Sequence, residues 1–395
     1  MSPRWIAALA VPLACLGGEV AFHRDVLPVL ARRCQSCHRP GEAAPMPLLT
    51  YRDARPWAKA IREAVLLKRM PPWFADPAYG KFANDPSLTA AEIRTLVSWA
   101  DGGALEGPAG GDPPAVPFVD GWRIPKPDAV FSLPEESSVP ASGVVDYRYV
   151  SVETGFTEDR WVEMAEVRPS NRGVVHHAIV FVSGPGGGGW FGARRYLAGY
   201  APGAVPQIWK PGQARLIPAG SHLVFQMHYT ANGKEAVDRT QIGLIFAKRL
   251  PRQQIVATTA GTHWFEIPPG DANHRVDAAT TMHETVHLVG LRAHMHLRGQ
   301  SFEFRAVYPT GESRILLRVP RYDFNWQPYY YLETPLLLPK GTRIECTAYY
   351  DNSAANPSNP DPRAAVRWGE QSWEEMMLGW IDLAVDIAPQ SSSLR

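Results

Sequence analysis

From residue 20 to about 107 the apolar positions recur at helical spacing. RDVLPVLARRC and DARPWAKAIREAVLLKR are compatible with helix, and LTAAEIRTLVSWADGG predicts one in full. There Thr89 and Glu92 form a capping box, Ile93, Leu96, Val97 and Ala100 share one face, and glycine follows the end. EGPAGGDPPAVPFVDGWRIPKPD then breaks the pattern and predicts a linker over 108–128. Beyond it the period changes. Runs such as VVHHAIVFV, HLVFQMHYT and QIGLIFA, separated by Pro and Gly clusters, predict antiparallel sandwiches. FEFRAVYPTGESRILLRV reads as a hairpin turning over Pro309–Ser313, GPGGGGWFG as a loop, and TRIECTAYY as a strand that buries the Cys346 thiol. A second β half begins near residue 259, each half having about 130 residues, the size of one sandwich.

The first eighteen residues, MSPRWIAALAVPLACLGG, carry one arginine and an apolar run from Trp5 to Leu16, short for a membrane span and right for a secretory signal. The expected protein is therefore exported, to the periplasm or beyond. Cys15 after Ala14 offers lipid anchoring as an alternative, although Pro12 fits that signal poorly. No other segment is apolar enough to predict a span. With 37 Pro and 33 Gly in 395 residues, short strands are favoured over long helices. Forty Lys and Arg balance 39 Asp and Glu, and no basic stripe alternates with aromatics, so nucleic acid is not an expected partner. Four cysteines, at 15, 34, 37 and 346, are too few for a disulfide framework.

Two thiols spaced as in CQSCH can bond to haem vinyl groups while the following histidine reaches the iron, which assigns Cys34, Cys37 and His38 to one covalent haem c. The rival is a structural zinc site, but no second Cys pair exists to close its tetrahedron. Residues 19–107 are accordingly expected to form a small all-α cytochrome c domain. KRMPPWF resembles the Met-Pro-Pro ligand loop of small c-type cytochromes and makes Met70 the expected sixth ligand, with Met46 in APMPLL as rival. A His/Met pair raises the haem potential and suits electron transfer.

Ten of the twelve histidines follow residue 175. His176 and His177 are adjacent, His228 lies in FQMHYT, and His294 and His296 lie in RAHMHLRG, where the i, i+2 spacing puts both rings on one face of a strand. Buried imidazole without a partner is costly, so five in apolar strand settings suggest ligands. HETVH, His283 to His287, matches a zinc-protease motif that works on a helix; its flanks are β-like, and on a strand the two rings stand roughly 13 Å apart. WGEQSWEEMMLGW adds Met376 and Met377. A thioether beside two imidazoles favours copper over zinc.

HHAIVF, FQMHYT, HMHLRG, IECTAYYDNS and EQSWEEMM, in this order over about 130–385, resemble the copper type II, ascorbate-dependent monooxygenases, the group of peptidylglycine α-hydroxylating and dopamine β-monooxygenases. The resemblance implies two all-β, jelly-roll-like sandwich domains, here 129–258 and 259–395, facing each other across a cleft with one copper each. It implies His176, His177 and His228 for the electron-supplying copper, and His294, His296 and Met376 for the oxygen-activating one, with Met377 as fallback. Adjacent strand residues face opposite sides, so the His176–His177 pair predicts a bulge. Arg292 matches the carboxylate clamp of the peptide-hydroxylating branch, a role that its planar fork suits. Leu378 and Trp380, two and four residues beyond Met376, stand where that branch has polar partners. The implied activity is hydroxylation of a C–H bond of a small organic substrate with O2. Electrons come through the haem from ascorbate or a redox protein. The alternative is a non-catalytic, exported copper and haem electron carrier.

Overall fold

Strict alternation of burial sets the faces of the strands. In Arg343–Tyr350 the residues Ile344, Cys346, Ala348 and Tyr350 are buried, and in Gly299–Val307 so are Phe302, Phe304 and Ala306. These two strands pair, and each large apolar side chain they bury contributes roughly 1.5–3 kcal/mol. The hairpin expected around Pro309 forms, with Val307 opposite Ser313. Gly379 sits against this core: a Cβ there would come within 2.6 Å of the Cys346 sulfur, so the strand carrying it can pack this closely only without a side chain.

The computed structural model describes residues 19–108, 121–185 and 194–387. The expected signal peptide 1–18, most of the 108–128 linker and the centre of the GPGGGGWFG loop lie outside the described residues. No helix among the described residues is long and apolar enough to cross a membrane.

Each β half is a sandwich with its own apolar core, one around Val180, Phe225 and Leu244, the other around Phe304, Leu317 and Tyr350. The halves share a sheet. A nine-stranded sheet runs through both, joined where Gln253–Thr262 pairs in parallel with Gln213–Ile217 and antiparallel with Met377–Asp386. The expected boundary at 258/259 therefore falls inside a strand. Two four-stranded sheets complete the sandwiches. One holds Val175–Ser183 and His222–Tyr229, and the other holds the hairpin just described.

The all-α cytochrome c domain expected for 19–107 is not what that segment forms, and this overturns the expected fold class. The chain is predominantly β, and the helices here are short: Leu27–Arg33, Tyr51–Ala54, Ala58–Leu66 and Ala90–Asp101. They gather around a small cluster with Phe22, Leu30, Leu96 and Trp99, and the Thr89–Glu92 capping box is present. Between the last two helices, however, the chain leaves the cluster. Trp73, Phe74 and Phe82 pack on the core of the second β half, Phe82 bridges to Leu332, and Ala83 N–H donates to the Tyr331 carbonyl at 2.9 Å. A prolyl-rich, non-helical stretch with three large aromatics lowers its free energy by burying them against an existing sheet.

One buried ion pair crosses the junction of the halves. Arg215 and Asp382, both essentially inaccessible, meet at 2.5 Å, and Arg215 also donates to the Tyr196 carbonyl at 2.6 Å. Replacing Asp382 by alanine strands the guanidinium, and the expected loss is about 3–5 kcal/mol. It should appear as a lower urea midpoint, and a midpoint equal to that of wild type would refute the account.

Candidate functional site

Val175–Ser183 and His222–Tyr229 run antiparallel with His177 directly opposite His228. The register shifts between Val175 and His177, which is the irregularity expected from two consecutive ligands, and it frees His176 from the ladder. The three residues each bring one ligand atom within 4.8 Å of the others. Among the described residues this is the one group of His, Cys, Asp or Glu so arranged.

Nε2 of His176, Nε2 of His177 and Nδ1 of His228 are buried without a hydrogen-bond partner. His176 Nδ1 and His177 Nδ1 stand 3.3 Å apart, and one ring nitrogen from each of the three histidines lies within 4.8 Å of the others, a donor set that fits a metal ion taking nitrogen lone pairs. Burial pushes His176 down to about 4 and His228 down to about 3, and it holds His177 well below the ordinary range, with neighbouring histidines adding to the effect at His177 and His228. At neutral pH all three are uncharged. Tyr147 stacks on His228 with ring centroids 4.4 Å apart and planes 12° from parallel, and Phe324 stacks on His176 at 4.9 Å.

The second set lies on the edge where Val286–His294 meets Met377–Asp386. Arg292 pairs with Trp380, Ala293 with Gly379 and His294 with Leu378. Alternation therefore gives Arg292, His294, Leu378 and Trp380 a common face, and His296 and Met376 follow just beyond the strand ends. The His294 and His296 rings are 5.2 Å apart and nearly perpendicular. His294 Nδ1 is 2.8 Å from Gln327 Oε1, and His296 Nδ1 is 3.1 Å from the Glu374 carbonyl. Each acceptor fixes the proton on Nδ1 and leaves Nε2 as the basic nitrogen. Met377 belongs to the apolar core, whereas Met376 lines the cavity that both rings reach.

Beneath this set is a support that the motifs did not reveal. The Glu375 carboxylate, fully buried, accepts N–H of His296 at 2.8 Å and N–H of Arg298 at 2.7 Å. Burial outweighs these bonds and raises its pKa to about 8. Arg298 donates through Nε to Asn352, and the Tyr350 hydroxyl donates to the Met376 carbonyl at 2.7 Å. Tyr350 and Asn352 lie in IECTAYYDNS, so the sequence contained their positions but not their role.

A cavity of about 410 Å³ brings the two sets together: His177 lines it with His294, His296 and Met376. Arg292 reaches it as well. Its guanidinium lies over Tyr196, Tyr329 and Trp380 at 5.1–5.7 Å, and its Nε is buried without a partner. His263, given no role from sequence, also lines this space, with its ring 4.5 Å from Trp368. His283 lies outside any helix and His287 on a strand, so the HETVH stretch has no helix to carry the protease arrangement.

Cys34, Cys37, His38 and Met70 line another cavity, of about 370 Å³. Burial is the main cause that pushes the Cys34 thiol up to about 12 and raises that of Cys37. His38 Nδ1 is 3.1 Å from the Met46 carbonyl, which leaves Nε2 for an iron and engages the rival methionine's backbone. Paired thiols, an anchored imidazole and a thioether around one cavity fit a covalently held haem.

No protein-family model matches the chain, and no curated protein does. Partial likeness is found to solved structures of infectious bursal disease virus, Gx strain (8% identity, 66% of this chain, 73% of that chain, TM-score 0.19), of allantoicase (9%, 52%, 76%, 0.18) and of the major capsid protein P2 from bacteriophage PM2 (9%, 65%, 99%, 0.26). At such TM-scores these likenesses carry no argument about the chain.

Proposed function

We propose that the protein is an exported, copper-dependent monooxygenase that hydroxylates a C–H bond of a small organic molecule with O2, and that a haem attached at Cys34 and Cys37 feeds it electrons. The observation that carries this reading is the shared cavity, where one face of the histidine triad looks onto His294, His296 and Met376. His176, His177 and His228 would hold one copper, and the other three the second. Such ions supply dioxygen activation and one-electron storage. Two imidazoles and a thioether favour the reduced ion.

The surrounding residues do the positioning. Gln327 and the Glu374 carbonyl orient the two rings, and Glu375 ties the His296 backbone to the residue preceding Met376. Ile179, Phe181, Leu378 and Trp380 give the cavity an apolar wall. Arg292, whose Nε has no partner, is placed to take an anionic group of the substrate. With Leu378 and Trp380 beside it in place of polar partners, the substrate proposed is a small organic molecule and not a peptide. Either ascorbate or a redox protein would serve as external donor.

Loaded with copper, the wild-type chain should hold close to two ions and consume oxygen in proportion to a substrate drawn from a panel of small organic acids. Met376→Ala should lower the copper content toward one and abolish substrate-coupled oxygen uptake, while the His176–His177–His228 ion stays. Full uptake by that variant would refute the reading. Cys34→Ser together with Cys37→Ser, produced in a haem-attaching periplasm, should yield a chain from which acid acetone extracts all haem. Wild type should retain its haem under the same treatment.

The triad also predicts a pH dependence of the metal-free protein. In the folded state His176 and His228 titrate near 4 and 3, below their ordinary 6.5, so between those values the unfolded chain binds protons that the folded chain refuses. Their contribution is in place above about 6.5 and is lost as pH falls toward 4. The melting temperature of chelator-treated protein should fall over that window, and less steeply in His228→Asn. Equal slopes in the two proteins would contradict the assignment.

A further inference from the structure

The His176–His177 dipeptide faces different cavities. His177 lines the space shared with His294, His296 and Met376 and also a cavity reached by Ser36 and Pro72, whereas His176 lines the cavity of Cys34, Cys37, His38 and Met70. The register shift between Val175 and His177 brings two consecutive side chains into one cluster. His176 is also the least buried of the three. Phe324 lies between it and the second set, stacked on His176 and 5.8 Å from His296. An electron arriving from the haem side thus meets His176 first and can pass on through His177.

We infer that His176 is the electron-transfer contact between a haem held at Cys34, Cys37 and His38 and a copper ion held by the triad. The inference rests on the cofactor reading above and adds the route. One electron leaves ferrous haem, which becomes ferric, and one arrives at the triad's cupric ion, which becomes cuprous. Direct contact through one side chain makes docking of a separate carrier at the triad unnecessary, so an external donor has to reduce only the haem. His177 then delivers toward the second set, and the direction of flow is built into the order of two adjacent residues.

The test uses the full chain with its haem attached. Metals are removed by chelation, the haem is reduced, and excess reductant is removed without oxygen. The protein is then mixed rapidly with copper(II) while the ferrous haem absorption is followed. In wild type the haem should oxidise at a rate that stops rising once the triad is saturated, the signature of transfer within one molecule. His176→Ala and His228→Ala each remove one triad ligand, and copper bound to each is verified by electron paramagnetic resonance. With copper bound, both variants share the loss of one ligand, and His176→Ala should be slower than His228→Ala by an order of magnitude or more, because only it also removes the contact with the haem side. Equal rates in the two variants would overturn the route, as would a wild-type rate that climbs with copper without saturating. A chain that carries no haem, or whose triad takes up no copper, would instead sink the cofactor reading, and the route with it.

Discussion

Three imidazole nitrogens, on His176, His177 and His228, are buried without a hydrogen-bond partner, and the fold is built to keep them there. At about 1–3 kcal/mol each, such orphans are a cost that packing elsewhere must offset. Tyr147 stacks on the His228 ring and Phe324 on the His176 ring, which restricts both. The antiparallel register of two strands, with one residue slipped, supplies the remaining constraint. A neutral, desolvated cluster of ring nitrogens results.

A second constraint couples the two β halves. Had each sandwich been free to move, His177 and the His294–His296–Met376 set would share no fixed cavity. The continuous sheet through Gln253–Thr262 and the Arg215–Asp382 pair hold the halves in one relation, and a small cluster with Ile179, Phe181, Tyr196 and Trp380 fills the space between them. Glu375 does the same at shorter range, because one buried carboxylate collects backbone N–H groups from both sides of His296 while standing next to Met376. Carboxylates buried this deeply belong where geometry has to be held to a fraction of an ångström.

The loop from 320 to 329 touches every part of the site. Asn325 and Trp326 line the CQSCH cavity, Phe324 lies against His176 and His296, Gln327 orients His294, and Tyr329 lies under the Arg292 guanidinium. A single connection between two strands of the second β half thereby organises groups from the N-terminal segment and from both halves. Loops on rigid scaffolds often do this, since their side chains are not bound to a strand's alternation.

Chemistry that depends on neighbours in sequence was legible before any fold. The thiol spacing of CQSCH, the i, i+2 relation of His294 and His296, the capping box at Thr89 and Glu92, and the hairpin around Pro309 are all set by local geometry that a few residues determine. The all-α domain expected for 19–107 failed because helical periodicity in Ala90–Asp101 says nothing of where Trp73, Phe74 and Phe82 find their partners. That the two β halves share a sheet was hidden for a similar reason: the parallel pairing of Gln253 with Gln213 joins segments that no local pattern links. Gln327, Phe324 and Tyr147 carried no signal in the sequence, and Glu375 lay in EQSWEEMM without a role, since an ordinary polar or aromatic residue acquires a role only when packing sets it in place. The sequence by itself determined which side chains are available and which of them are neighbours along the chain. The tertiary structure decided that His176 lines the cavity of CQSCH and that His177 lines the one with His294, His296 and Met376, because burial and long-range strand pairing act between residues far apart along the chain.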